Sequence, residues 1–221
     1  MEALKIYFAG DLFNSKDIGG NLMLAKTIDD VSQHRYLTML PQDGECEVVD
    51  RTSQAIRDAD FELLLNCDVI VANFDGTDLD SGTVVEFCFA KMMDMPAVLL
   101  RTDFRDCGDN DLPDGEPWNL MCSHYPRTAV CCMNAMQIYH QCKANFPDKL
   151  LDRYYSIIAA GVVSALDTVT AQPSWLKSGE LLSQYERIIK SVGGSMAERF
   201  PAPALQKLAV RKQQSRLYGK I

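Results

Sequence analysis

The sequence predicts an α/β protein: a doubly wound, mainly parallel five-stranded sheet with a helical C-terminal extension. Three observations point to it. Short apolar runs bounded by Gly, Pro, Asn or Asp recur through the first 132 residues. Such runs suit strands buried on both faces. Segments with helical spacing separate them, the alternation expected of right-handed βαβ units. After about residue 146 the pattern becomes helical throughout.

The first strand is "LKIYFAG", Leu4 to Gly10, and ends in Gly. A helix is expected from about Ile18 to His34, with Leu22, Leu24, Ala25, Ile28 and Val31 on its apolar side. Gly19 and Gly20 weaken its start. "YLTML" before Pro41 reads as a second strand. Thr52 to Asn66 reads as a helix, with Ile56, Ala59, Leu63 and Leu64 on one side. "DVIVANF", Asp68 to Phe74, is the third strand, and a helix carrying Glu86 follows its loop. "PAVLLRT", Pro96 to Thr102, is the fourth strand, and Thr128 to Cys132 a weaker fifth. Between them "DFRDCGDNDLPDGEPWNLM" is acidic, rich in Gly and Pro, and reads as a surface loop. A flavodoxin-like or Rossmann-like order is expected. Residues 1–146 form the expected core. Residues 147–221 form the extension, with helices at "KLLDRYYSIIAAGVVSALDTV" and "LLSQYERIIKSV", the breaker "QPSWLKSG" between them, and a basic tail. The extension could pack on the core, form a subunit interface or cover an active site. No internal repeat is present.

The chain has 221 residues with a formal net charge of -8. An acidic surface argues against nucleic acid or anionic membrane as the main partner. No apolar run approaches the roughly 20 residues that a spanning helix needs. "MEALKIYFAG" carries no basic region before an apolar core, so no signal peptide and a cytoplasmic location are expected. The eight cysteines (Cys46, Cys67, Cys88, Cys107, Cys122, Cys131, Cys132 and Cys142) include no CxxC and no zinc spacing. Reduced thiols are expected. Cys122 lies two residues before His124, which allows a thiolate catalyst, although an inert buried thiol is the commoner case.

In "DGTDLDSGTVVEFCFAKMM", Glu86 sits among Val84, Val85, Phe87, Cys88, Phe89 and Ala90. An ionised Glu is costly to bury there unless it is paired or used. In an open parallel sheet, ligands bind beyond the carboxyl ends of the strands. Asp75 follows the third strand, and Asp80 lies six residues before Glu86. With a helix starting near Ser81 and capped by Asp80 or Ser81, Glu86 is about one and a half turns in. Its side chain then leans toward the helix N-terminus, which favours the ionised form. Two carboxylates converging on one cleft are the minimum equipment for cleaving an acetal-type bond, one as nucleophile and one as proton donor. The plain alternative is an Asp80 that only caps the helix and a Glu86 that faces solvent.

The run "CDVIVANFDGTDLDSGTVVEFCFA" resembles the signature of nucleoside 2-deoxyribosyltransferases. "IYFAG" resembles the family's first strand and places Tyr7 beside the nucleophile. Asp60, eight residues before Asp68, falls where the family contacts the nucleobase. "WNLM" resembles the segment that reaches a neighbouring subunit's site at the sugar 5'-hydroxyl, which marks Asn119 and Met121. The resemblance covers about residues 4–125. It implies base exchange by a ping-pong mechanism through a covalent deoxyribosyl–Glu86 intermediate, with Glu86, Asp80 and Tyr7 catalytic. Asp60, Asn119, Met121, Gly10, Phe13, Asp75 and Gly82 are the expected substrate contacts, although Asp75 could instead brace its loop. Free nucleobases and deoxynucleosides, in a homo-oligomer with shared sites, are the implied partners. No cofactor or metal is implied, since no ligand cluster stands out.

Two alternatives stay open. One is an N-glycosidic hydrolase of deoxynucleosides or their 5'-monophosphates, although Asp11 after the first strand would repel a phosphate. The other is a non-catalytic nucleoside-binding module.

Overall fold

The computed structural model describes every residue except 1, 47, 106, 107, 109–112, 178, 216 and 219–221. Cys107 and the end of the basic tail therefore lie outside the described residues. Five strands, β1 (Leu4–Ala9), β2 (Tyr36–Met39), β3 (Val69–Asn73), β4 (Ala97–Arg101) and β5 (Thr128–Cys132), form one sheet in the order β2-β1-β3-β4-β5. Every neighbouring pair is parallel. The chain is an α/β doubly wound fold in the flavodoxin-like order. Strand order reverses at the β1/β3 junction, so the topological switch lies there. β3 and β4 are buried along nearly their whole length, which explains their unbroken apolar sequences.

Helices α1 (Ser15–Val31), α2 (Pro41–Glu45), α3 (Ser53–Asn66) and α4 (Ser81–Met92) follow β1 to β3. Asn14, Thr52 and Asp80 cap α1, α3 and α4 by accepting backbone N–H bonds. α1 begins and ends three residues earlier than its periodicity predicts. The Asn14 cap carries it through Gly19 and Gly20, and a left-handed pair at Gln33 and His34 ends it. α5 (Ala135–Asn145), α6 (Leu150–Thr170), α7 (Leu181–Val192), α8 (Met196–Arg199) and α9 (Ala202–Gln214) complete the chain. α6 lies against α1, β4 and β5, so residues after 146 supply one of the helices that cover the sheet.

The later helices dock at the amino ends of the strands. Fully buried Lys212 donates to the Cys67 carbonyl and pairs with Asp68 at 3.3 Å. Arg211 donates to the Asn66 carbonyl at 2.8 Å. Ser195 donates its N–H and hydroxyl to buried Asp58 on α3 at 2.7 and 2.8 Å. Buried Arg127 bonds Asp94 at 2.7 Å and the Leu217 carbonyl at 2.8 Å. The contacts of α8, α9 and the segment after them thus lie toward the amino ends of the strands, whereas the start of α6 brings Tyr154, Tyr155 and Ile158 to a cavity shared with Asp75, Thr102 and Asp103 at the carboxyl ends. Among the described residues, no helix is long and apolar enough to cross a membrane.

Candidate active site

Tyr7 lies one pleat from the end of β1 and is fully buried. Its phenol donates to Glu86 Oε1 at 2.5 Å, the length of a charge-assisted bond. Burial, then the charges of Glu86 and Asp60, hold the Tyr7 hydroxyl well above its ordinary range, so it stays protonated and keeps a proton to donate to Glu86. Glu86 thus has its partner inside the apolar run. The strand supplies the phenol, and α4 supplies the carboxylate.

A cleft of about 160 Å³ opens above this pair, lined by Gly10, Leu12, Phe13, Pro41, Asp60, Asp80, Gly82, Thr83 and Glu86. The loop after β1 contributes Gly10, Leu12 and Phe13, α2 contributes Pro41, α3 contributes Asp60, and the cap and first turns of α4 contribute the rest. Phe13 projects into solvent, 77% exposed. Asp80 Oδ2 accepts the Thr83 N–H at 2.7 Å and the Thr83 hydroxyl at 2.9 Å. The position of Gly82 follows from this: a Cβ there would lie 3.0 Å from Asp80 Oδ2. Carboxylates therefore face the cleft from three directions, and one of them is pinned by a buried phenol.

Sequence reasoning placed Tyr7, Gly10, Phe13, Asp60, Asp80, Gly82 and Glu86, and the structure brings these together. It missed Leu12, Pro41 and Thr83. The spacing of Thr83 three residues after a capping Asp was the available signal for that contact.

Three expected residues lie elsewhere. Asp75 turns toward the β4 end, where it accepts the Thr102 N–H at 2.5 Å, the Thr102 hydroxyl at 2.8 Å and the Asp103 N–H at 2.7 Å. It braces that loop, and it lines a separate cavity with Asp11, Asn21 and Tyr154. Asn119 accepts the Met121 N–H at 3.0 Å and caps a short 3₁₀ turn. Both residues line a groove against Leu79, Val84 and Val85, away from the Glu86 cleft, and Met121 is 70% exposed. The thiolate alternative loses its basis: Cys122 is buried, and burial pushes its thiol up, opposite to an activated nucleophile. Every described cysteine is a free thiol. No metal-binding group of His, Cys, Asp and Glu occurs among the described residues.

The sequence matches the family profile described as nucleoside 2-deoxyribosyltransferase over residues 6–121, just over half of the 221 residues. A conserved protein from Enterococcus faecalis V583 shares 29% identity over 54% of this chain and 84% of its own, with a TM-score of 0.46. A 2-deoxyribosyltransferase from Bacillus psychrosaccharolyticus shares 18% identity over 46% of this chain and 74% of its own, with a TM-score of 0.40. No curated protein matches the chain. The family assignment rests on the profile match, which contains every residue that lines the cleft. The chain belongs to the nucleoside 2-deoxyribosyltransferase family.

Proposed function

We propose that the protein exchanges the 2-deoxyribosyl group between nucleobases through a covalent intermediate on Glu86. The observation that carries this reading is the buried Tyr7 phenol bonded to Glu86 at the floor of a carboxylate-lined cleft. Tyr7 fixes the orientation of the carboxylate, and Glu86 attacks C1'. As the C1'–N bond breaks, its electron pair leaves with the base, which takes a proton from Asp80. The oxocarbenium-like transition state is positive, and Glu86 stabilises it before bonding to it. Asp60 on α3 faces the same space and holds the base. An incoming base then attacks C1', releases Glu86 and returns a proton to Asp80. The two inversions give net retention.

Free nucleosides fit better than monophosphates. Burial and the charges of Asp80, Asp17 and Asp75 raise the Asp11 carboxyl, so the β1–α1 loop is a region of crowded negative charge. A phosphate would be repelled there.

The cleft in one chain is smaller than the roughly 300–1,000 Å³ of ordinary ligand pockets. A second copy, presenting Asn119 and Met121 from its outward-facing groove, would enlarge and close it. The active form is therefore proposed to be a homo-oligomer that works without a cofactor in the cytoplasm.

Incubation with thymidine and adenine, followed by chromatography, tests the reading. Deoxyadenosine formed only when adenine is present supports transfer. Free thymine without deoxyadenosine would replace transfer by hydrolysis. No turnover of thymidine or deoxyinosine would favour a binding role.

A further inference from the structure

Asp80 meets two demands that pull against each other. It caps α4, which needs an acceptor oxygen facing the helix, and in the proposed reaction it must show a proton to the base. The geometry divides these tasks between its two oxygens. Oδ2 takes two donors, the Thr83 N–H at 2.7 Å and the Thr83 hydroxyl at 2.9 Å. A carboxylate oxygen has two lone pairs, so Oδ2 is saturated. Oδ1 makes no hydrogen bond among the described residues. Thr83 itself is buried, 1% exposed, and its β-branched side chain has restricted rotamer freedom. Its hydroxyl is held where it donates to Asp80.

We propose that Thr83 is a positioning residue that confines the transferable proton of Asp80 to Oδ1, the oxygen left open to the cleft. The backbone N–H alone cannot do this. With only that donor, Oδ2 keeps a free lone pair, and the proton can sit on the oxygen that faces the helix, out of reach of the leaving base. The Thr83 hydroxyl closes that option. Protonating Oδ2 would break one of its two hydrogen bonds and leave a buried hydroxyl without its acceptor, which is costly. In the forward half-reaction the proton leaves Oδ1 for the departing base nitrogen as the C1'–N bond breaks and the C1'–O bond to Glu86 forms. In the return half-reaction the incoming base yields its proton to Oδ1. The rest of the chain is electronically unchanged. This inference rests on the deoxyribosyl-transfer reading and assigns the positioning of its acid.

The test compares two donors that differ in their need for an acid. Thymidine needs its leaving base protonated; 4-nitrophenyl 2-deoxyriboside releases a weakly basic phenolate and does not. Thr83→Val removes only the hydroxyl at nearly constant volume. It should lower kcat for thymidine about 10-fold, a fraction of the 10²–10⁴ that general acids supply, with KM within about twofold. Its rate on the nitrophenyl donor should stay within about twofold of the parent, and Thr83→Ser should recover most of the thymidine rate. Equal losses on both donors would overturn the proposal and make Thr83 a structural residue. So would unchanged turnover of thymidine by Thr83→Val. Failure of the underlying reading looks different, because the unaltered protein would then form no deoxyadenosine from either donor with adenine present. Circular dichroism of Thr83→Val checks folding, and should it misfold, the donor comparison is made on Thr83→Ser and Thr83→Ala.

Discussion

The Tyr7–Glu86 pair is where the molecule commits an unfavourable group to a purpose. A carboxylate set in an apolar run needs a donor, and the donor comes from β1, 79 residues away in sequence. Because burial and neighbouring charge keep Tyr7 protonated, the bond is present across the ordinary pH range. Tyr7→Phe keeps the ring packing and removes the bond. A hydrogen bond to a charged group contributes about 1.5–3 kcal/mol, so kcat/KM for base exchange should fall about 10- to 100-fold while the fold persists. Steady-state kinetics with a melting curve read both effects. At this scale much of the site was legible. Tyr7, Asp60, Asp80 and Glu86 stand at recognisable spacings. Asp75 shows why the rest was not: it follows a strand end just as a substrate contact would, and only the Thr102 and Asp103 amides facing it reveal a brace. Thr83 carried only one signal, its spacing from a capping Asp, because its bond closes within one helical turn.

Among the elements, α4 matters most, since it places Asp80, Gly82, Thr83 and Glu86 along its first turns. Its cap and its proposed acid are one carboxylate, and Gly82 keeps the space that this carboxylate occupies. Gly82→Ala should therefore separate stability from activity. Alanine is the better helix former by up to about 1 kcal/mol, so the melting temperature should hold or rise. Displacing Asp80 by a few tenths of an ångström should lower turnover about 10-fold or more. Paired melting and rate measurements check this. The five strands and α3, α4, α6 and α7 were legible because their apolar patterns are strong and their ends carry caps or breakers. α2 and α5 were not. α2 is five residues with no apolar face, and α5 mixes polar and apolar residues with only Ile138 and Cys142 buried.

For the molecule as a whole, the Glu86 cleft lies toward the carboxyl ends of the strands, and the contacts of α9 lie toward the amino ends. Partner choices more than a hundred residues apart in sequence, such as Lys212 with Asp68, are not readable from pattern. These contacts carry stability. Arg127→Met would leave Asp94 buried without its cation and without the Leu217 link, which should cost about 3–5 kcal/mol in denaturant unfolding. The buried amines set a pH dependence. Burial lowers Lys91 from 10.5 to about 7 and Lys212 from 10.5 to about 8. Between those values and 10.5 the unfolded chain binds more protons than the folded chain, so stability rises with pH. Buried thiols oppose this from about pH 9, since folded Cys67 and Cys131 keep their protons to about 12 and 11. The melting temperature should therefore rise from about pH 7 to about pH 9, level off to about pH 10.5 and fall beyond. Lys91→Met should flatten the rise, and an unchanged slope would contradict the assignment.

The measurement that bears most directly on the central claim is intact-protein mass spectrometry after rapid acid quench with a deoxynucleoside donor. A covalent intermediate predicts one added 2-deoxyribosyl group, mapped by peptide analysis to Glu86 and absent in Glu86→Gln. Full base exchange by Glu86→Gln, or an adduct on any other residue, would contradict it.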